Sequence, residues 1–446
     1  MRRLDLGLEE IQEVIDFGDD SELTVYGENE FESSGATDVL ESAIETASEA
    51  AVGLEEIKEA LELSLTNGGL TEQGALFANI AIKNTVAAGY GVAKPLPSME
   101  SINSNTGRMQ ITGFALETVN KEAEGIFARI KAFIQKWIQK VVEFWNKYIS
   151  NVGRLVFSAK KLATKAREHK GVVKEKEIEL SGALLENLQI NSEINFSKII
   201  AGIKSLETTV NPKNSETIAL ILEQTAEKLS NFDVSTVEKA EALKTILDGE
   251  IFSSDHEIAQ WKSGGWTEST YKQFLSTNTV TYLVTPKLIG DKINVVEIKN
   301  DLSGRTTGIK VALKDIPGVG RLIKAQKVKA LTPDEIETAA NAVVSIAGHI
   351  VSFKNVISER EKIVNNIVKS AEKLSSKLEK TNLEASKTET YVFLKFYLSS
   401  IPAIAQATVA PILDAQKVAT GSSRSLYDYA VYSYKNLGEK STDKKD

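Results

Sequence analysis

The chain has 446 residues, of which 26% are charged, with a formal net charge of −8 and no cysteine. This length allows two or three domains with ordinary hydrophobic cores, and the lack of cysteine excludes disulfides, thiolate metal sites and cysteine nucleophiles. The first 20 residues include two arginines but no long apolar run, so the sequence predicts no secretory signal there.

Charge is distributed unevenly along the chain. Residues 1–100 contain 21 acidic and five basic side chains, a net charge of −16, whereas residues 101–446 contain 40 acidic and 48 basic ones, a net charge of +8. A basic surface attracts polyanions and an acidic surface repels them. We therefore expect the acidic segment and the basic remainder to differ in their affinity for nucleic acid.

The acidic segment is predicted to contain two helices. Asp38 and Glu41 have the spacing of a capping box, and apolar residues then recur at helical intervals until the glycines that begin at Gly68. A second helix is predicted over about 71–88, and residues 89–97, which include two prolines, are expected to form an extended connector.

A long basic amphipathic helix is predicted from Glu117 to about residue 170. Its apolar face is rich in aromatic residues, and lysines occupy much of the rest. Such a helix fits the core of a bundle, insertion into a membrane interface, or contact with nucleic acid or a partner. The candidate core, membrane or partner face comprises Phe127, Phe133, Trp137, Phe144 and Trp145, and the candidate DNA-phosphate contacts are Lys131, Lys136, Lys140 and Lys147.

Helical patterns continue over residues 174–247, and the period then changes. Residues 279–313 contain β-branched runs separated by turn sequences, which predicts short strands and hairpins. At 332–335 the sequence TPDE supplies an N-cap, a first-turn proline and acidic residues, so two or three long helices are predicted from there to about residue 437.

Residues 391–413 are apolar enough to be compared with a membrane-spanning helix, since they carry a single charge. Pro402 and Pro411 interrupt this stretch, and proline normally ends or kinks a helix. The sequence therefore favours a buried helix pair joined near Pro402 over a transmembrane helix.

Together these patterns predict a mainly α protein, with long amphipathic helices in a bundle and a small β-hairpin or sheet insertion. We expect four units: an acidic leader at 1–100, a helical domain with the aromatic helix at 101–247, a small α/β insertion at 248–330, and a C-terminal helical domain at 331–446.

The sequence gives no positive case for an enzyme, a metal site or a cofactor. The motif PGVGR at 317–321 lacks the lysine of a phosphate-binding loop. Trp261 and Trp266 flank a glycine turn, which is more typical of packing than of a carbohydrate or base-stacking loop. The three histidines have no metal-binding spacing; they are His169, His256 and His349.

The stretch PLPSMES at 95–101 is a candidate processing site. A protease acting on a folded protein needs an extended, exposed segment, and the two prolines disfavour helix beside Ser98, Met99 and Glu100. Other small residue–any–Glu triplets, at 60–62 and 115–117, fall in predicted helices, where cleavage would be hindered. The triplet at 98–100 instead coincides with the reversal of charge.

The chain consists, in order, of an acidic leader, the stretch PLPSMESINSNTGRMQITGFALETV, a Lys/Trp-rich amphipathic helix and a cysteine-free helical body. This order of segments resembles that of the internal head proteins of large tailed bacteriophages. The resemblance implies that a prohead protease recognises Ser98, Met99 and Glu100 and cleaves before Ser101. It also implies a protein made in the host cytoplasm during assembly and then located inside the capsid, with capsid or other internal head proteins and non-specifically bound DNA as partners, and ejection with the DNA as a further step.

Two other interpretations remain at this stage. One is an unprocessed helical adaptor or scaffold protein. The other is an α-helical pore-forming protein, in which the aromatic helix and the β insertion would contact a membrane; this interpretation leaves the acidic leader unexplained.

Overall fold

The computed structural model describes residues 33–90, 105–124, 126–169, 173–189, 193–209, 212–233, 267–274, 278–284, 310–315, 324–381 and 388–438. These residues form eleven helices and five short strands, which confirms the predicted mainly α fold with a small β element. In chain order they are α1 (Ser33–Thr66), α2 (Glu72–Tyr90), α3 (Asn105–Glu124), α4 (Ile126–Glu168), β1 (Glu177–Leu180), α5 (Gly182–Leu188), α6 (Phe196–Thr209), α7 (Lys213–Asn231), β2 (Thr267–Phe274), β3 (Asn278–Val284), β4 (Lys310–Asp315), β5 (Gln326–Lys329), α8 (Pro333–Ser352), α9 (Val356–Leu378), α10 (Glu389–Ser399) and α11 (Ile401–Lys435).

Helices α1 and α2 form an antiparallel pair joined by a tight turn, which we call the N-terminal hairpin (residues 33–90). The turn contains Gly68 and Gly69, both with positive φ, a region that residues with a Cβ rarely adopt. Both predicted helices are present, although α1 begins at Ser33, before the predicted capping box.

The predicted long helix from residue 117 to 170 corresponds to the described helices α3 and α4, and residue 125 between them lies outside the described residues. Helix α3 begins at Asn105, earlier than the apolar periodicity indicates, and α4 ends at Glu168. Helix α4 packs along α8 and also contacts α1, α9 and α11, so it lies within the bundle.

Two small β elements accompany the helices. β1 and β5 form an antiparallel pair in which Glu177 is opposite Lys329, and the sequence analysis missed this pair. β2, β3 and β4 form an antiparallel sheet in that order. Strands β3 and β4 overlap the two ends of the predicted region, 279–313, whereas β2 precedes it.

Helix α8 starts where the sequence predicts. The Thr332 hydroxyl accepts a hydrogen bond from the Glu335 backbone N–H, and the Glu335 carboxylate accepts one from the Thr332 N–H at 2.9 Å, which completes a capping box. Four helices, rather than the predicted two or three, follow from this point to Lys435.

The apolar stretch at 391–413 forms the predicted pair of helices. Helix α10 ends at Ser399 and α11 begins at Ile401, with Pro402 in the first turn of α11, where a missing N–H costs no hydrogen bond. Pro411, by contrast, lies inside α11. Most residues of α11 up to Ser433 are buried, and this helix contacts α1 and α4 to α9, which makes it the central helix of the bundle.

Two stretches of the described chain have the length and hydropathy of a membrane span. They are Pro333–Leu378, in which one 18-residue window has a mean hydropathy of 1.3, and the α10–α11 pair, which is bent by 51°. Both contribute apolar side chains to the hydrophobic core. A core helix of a bundle has the same composition.

One hydrophobic core joins helices from both ends of the chain. It includes Ile44 of α1, Trp145 of α4, Ile203 of α6 and Tyr427 of α11. The predicted unit boundaries at 100 and 247 fall outside the described residues, whereas the one at 330 lies between β5 and α8; the division into units stays a prediction. The helices on either side of these boundaries share this core.

Candidate functional site

The predicted processing triplet lies between two helices. Helix α2 ends at Tyr90 and α3 begins at Asn105, and Ser98, Met99, Glu100 and Ser101 fall between them, outside the described residues. The sequence position therefore agrees with a junction between helices, and cleavage itself stays a prediction.

The triplets at 60–62 and 115–117 lie inside α1 and α3, as predicted. Leu61 and Ala115 are buried in the core. A protease would have to unfold these helices to bind them as extended chain.

A further aliphatic residue–any–Glu triplet occurs at Leu70–Glu72, in the turn of the N-terminal hairpin, and the sequence analysis did not consider it. Its backbone is held in place, because the Leu70 N–H donates to the Thr112 Oγ1 of α3 at 2.7 Å and the Gly74 N–H donates to the Thr71 hydroxyl at 3.1 Å. Exposure of Thr71 and Glu72 alone therefore does not make this triplet an extended substrate.

The aromatic face of α4 packs inside the bundle. Trp137 and Trp145 are only 3% and 1% exposed, and Phe127, Phe133 and Phe144 are partly buried against the same core. The indole N–H of Trp145 donates to the Lys354 carbonyl at 3.0 Å, which ties α4 to the turn after α8. In this conformation the face is covered by protein.

Tyr148 is a member of this aromatic cluster that the sequence analysis did not single out. Its ring stacks on Trp145 with centroids 5.5 Å apart, and its hydroxyl donates to the Gln416 carbonyl of α11 at 2.9 Å and bonds to the Thr420 hydroxyl. Burial raises the pKa of the phenol far above its ordinary value, although the bond to Thr420 acts in the opposite direction. No local sequence signal could indicate this contact, since the partners lie more than 260 residues away in the chain.

The four predicted DNA-contact lysines differ in their surroundings. Lys131 forms an ion pair with Glu372 of α9 at 2.7 Å, whereas Lys136, Lys140 and Lys147 are exposed on α4. Arg154 is exposed seven residues beyond Lys147. Seven residues bring an α-helix back to within about 20° of the same direction, so these four exposed cations lie along one edge of α4, which also carries the exposed Glu143. We call Lys136, Lys140, Lys147 and Arg154 the basic stripe; it spans about 27 Å at 1.5 Å per residue.

The remaining chemistry-bearing residues fall partly inside and partly outside the described ranges. Within the described ranges, no group of histidine and acidic side chains could hold a metal ion. His169 bonds to the Gly438 carbonyl at 3.0 Å, and His349 packs edge-on against Phe353. His256, Trp261, Trp266 and the motif at 317–321 lie outside the described residues.

A polar groove of about 360 Å³ separates α7 from α9. It is lined by side chains of both charges, and two hydrogen bonds cross it: Asn366 Nδ2 donates to Glu223 Oε1 at 2.6 Å, and Lys373 Nζ donates to Asn231 Oδ1 at 2.5 Å. These bonds hold the two helices together, and the neighbouring Arg360 guanidinium adds a third link to the Pro212 carbonyl at 3.2 Å. The groove is therefore explained by helix packing.

The described helices, the lack of cysteine and the reversal from an acidic N-terminal segment to a basic remainder are the features on which the sequence resembles internal head proteins. The profile of one protein family, described as phiKZ-like phage internal head proteins, matches residues 28–416. The chain belongs to this family, which places it among the proteins inside a phage capsid and confirms the resemblance that the sequence suggested. Searches of curated proteins and of solved structures found no match.

Proposed function

We propose that this internal head protein is a non-catalytic structural component that is cut after Glu100 by a prohead protease during head maturation. The observation that carries the proposal is the reversal of charge along the sequence between α2, which ends at Tyr90, and α3, which begins at Asn105. A cut there breaks the covalent link between a segment of net charge −16 and a body of net charge +8.

The second part of the proposal is non-specific association of the basic body with packaged DNA. Support comes from the basic stripe, whose cations face solvent along one edge of α4. Each neutralised phosphate releases counterions, so binding of this kind is salt-dependent and independent of sequence. Removal of residues 1–100 takes away charges that repel DNA, and ejection with the DNA would follow from this association.

The unprocessed helical adaptor is the second candidate, and a specific observation favours it. Helix α1 contributes Ile44, Ala51 and Leu54 to the core, all 0% exposed, so the acidic segment also has a structural role. The membrane-active alternative needs the aromatic face of α4, which is covered in this structure.

The Glu100→Gln variant tests the processing step. A pocket that reads glutamate would pair with its charge, and glutamine keeps the shape while it removes that charge. We expect the variant protein, expressed in infected cells, to remain uncut, while the matched Glu117→Gln variant, altered at a triplet inside α3, is cut as in the wild type. Normal cutting of Glu100→Gln would contradict the assigned site.

A further inference from the structure

The N-terminal hairpin, which precedes the proposed cut, makes extensive contacts with the chain that follows it. Helix α1 packs against α3, α4, α10 and α11, and α2 packs against α3. All four partner helices belong to residues 101–446. These contacts join residues on opposite sides of the cut site in the sequence, so they do not depend on the peptide bond that is cut.

The face that α1 presents to these helices is apolar. Ile44, Ala51, Leu54 and Leu61 are at most 2% exposed and belong to the same core cluster as Val119 of α3. Burial of apolar surface is non-directional and acts between separate chains as it does within one. Eight acidic residues and a single lysine occupy other positions on α1.

The turn of the hairpin fits closely against the start of α3. A Cβ at Gly69 would lie 2.5 Å from the Arg108 carbonyl carbon and 2.7 Å from the Met109 backbone nitrogen, which no side chain could tolerate. Next to it, the buried Thr112 hydroxyl accepts from the Leu70 N–H and donates to the Arg108 carbonyl, both at 2.7 Å. Two independent features thus fix the hairpin on α3.

We propose that cleavage after Glu100 leaves the N-terminal hairpin bound to the body, so that the product of processing is a two-chain complex. This inference rests on the proposed cleavage and specifies its outcome: the surface of α3, α4, α10 and α11 is a docking site whose occupant is residues 33–90 of the same chain. The acidic charge of α1 then stays beside the basic body until the hairpin is displaced.

The test uses the full chain with a site-specific protease sequence in place of residues 95–101. After complete cutting, the two fragments should elute together in gel filtration without denaturant. Co-elution should persist in 1 M salt, since an apolar interface is not screened as charge pairs are. Separate elution of the fragments would overturn the proposal.

Two glycine variants give a matched comparison. Gly68 and Gly69 both have positive φ, but a Cβ at Gly68 would meet no atom within 4 Å. Alanine at either position therefore carries similar backbone strain, and alanine at position 69 alone collides with α3. We expect the hairpin to leave the cut Gly69→Ala protein at least tenfold faster than the cut Gly68→Ala protein. Equal rates would overturn the docking geometry.

A second pair of variants tests the docking on α1, away from the turn, so that its result does not depend on correct folding of the turn variants. Leu54 is fully buried in α1, whereas Leu63 on the same helix is 65% exposed. After cutting, Leu54→Asp should lose the hairpin and Leu63→Asp should retain it. Retention in both would contradict the assigned face of α1.

The engineered cut separates this inference from the proposed function. If particles contain only the uncut chain, the processing proposal fails, and the docking result is unaffected. If the engineered fragments separate, the docking proposal fails, and processing at Glu100 is unaffected.

Discussion

Trp137 is the residue whose surroundings distinguish most directly between a core and a membrane role for α4. Its side chain is buried among the helices of the bundle. Trp137→Ala should lower the free energy of unfolding by about 3–5 kcal/mol, as large-to-small core substitutions do. Urea denaturation would measure the change, with Phe157→Ala, at a 38% exposed position of the same helix, as the milder control.

Unchanged stability of Trp137→Ala together with loss of liposome binding would contradict the core assignment and favour the membrane-active alternative.

The Glu335 carboxylate makes the stability of the folded protein depend on pH. Partial burial tends to raise the pKa of its carboxyl, but hydrogen bonds from Lys329 and Thr332 outweigh this and hold the pKa below its usual value. Because the pKa is lower in the folded state than in the unfolded one, the stabilisation is present above the unfolded pKa of about 4.3 and is lost as pH falls through the folded value.

Glu335→Gln should therefore destabilise the protein at pH 7, and its difference from the wild type should shrink as the pH falls below about 4. Urea midpoints for both proteins across this range would measure it. A difference that does not change with pH would show that the carboxylate charge makes no contribution.

At the scale of elements, features that depend on neighbouring residues were predicted correctly, and features that depend on contacts between distant segments were not. The start of α8 follows from four adjacent residues, 332–335, and the structure has the capping box there. The pairing of β1 with β5 places Glu177 opposite Lys329. Each strand has only four residues, and nothing in either sequence indicates its partner about 150 residues away. Pro411 is a similar case, since its position inside the buried α11 depends on surrounding helices that sequence periodicity cannot show.

The candidate site was predicted in the same uneven way. The apolar and charged faces of α4 follow from helical periodicity, so the burial of Trp145 and the exposure of Lys136 agree with the pattern. The pairing of Lys131 with Glu372 and the role of Tyr148 depend on contacts with α9 and α11. Likewise, the apolar face of α1 follows from its helical periodicity, whereas the helices that it packs against do not.

The basic stripe makes a prediction about DNA binding by α4. Replacing Lys136, Lys140 and Lys147 with glutamine in the full chain should reduce the slope of log affinity against log salt by up to about 2.7, because each phosphate contact contributes about 0.9. Fluorescence anisotropy with duplexes of unrelated sequence would measure the slope. The control replaces three other exposed lysines, Lys198, Lys204 and Lys362, and carries the same change in net charge.

Equal loss of affinity in both triple variants would contradict the assignment to α4 and would indicate that net charge alone determines binding.

At the scale of the whole molecule, the opposite charges of the two segments and their shared core act in different directions. DNA repels the acidic residues 1–100 and attracts the basic body, so the presence of DNA favours separation of the two segments. The buried face of α1 favours retention, because its separation would expose Ile44, Leu54 and Leu61 to water. Detection of peptides from residues 1–100 in a mature particle would therefore not show that the chain is uncut.

The intact masses of this protein from purified, mature particles, measured under denaturing conditions, test the central claim most directly. We expect a chain that begins at Ser101, with or without a separate fragment from residues 1–100. A start at Gln73 would instead assign the cut to the turn of the hairpin. A single mass for the uncut chain of residues 1–446 would contradict processing and leave the unprocessed helical protein as the better interpretation.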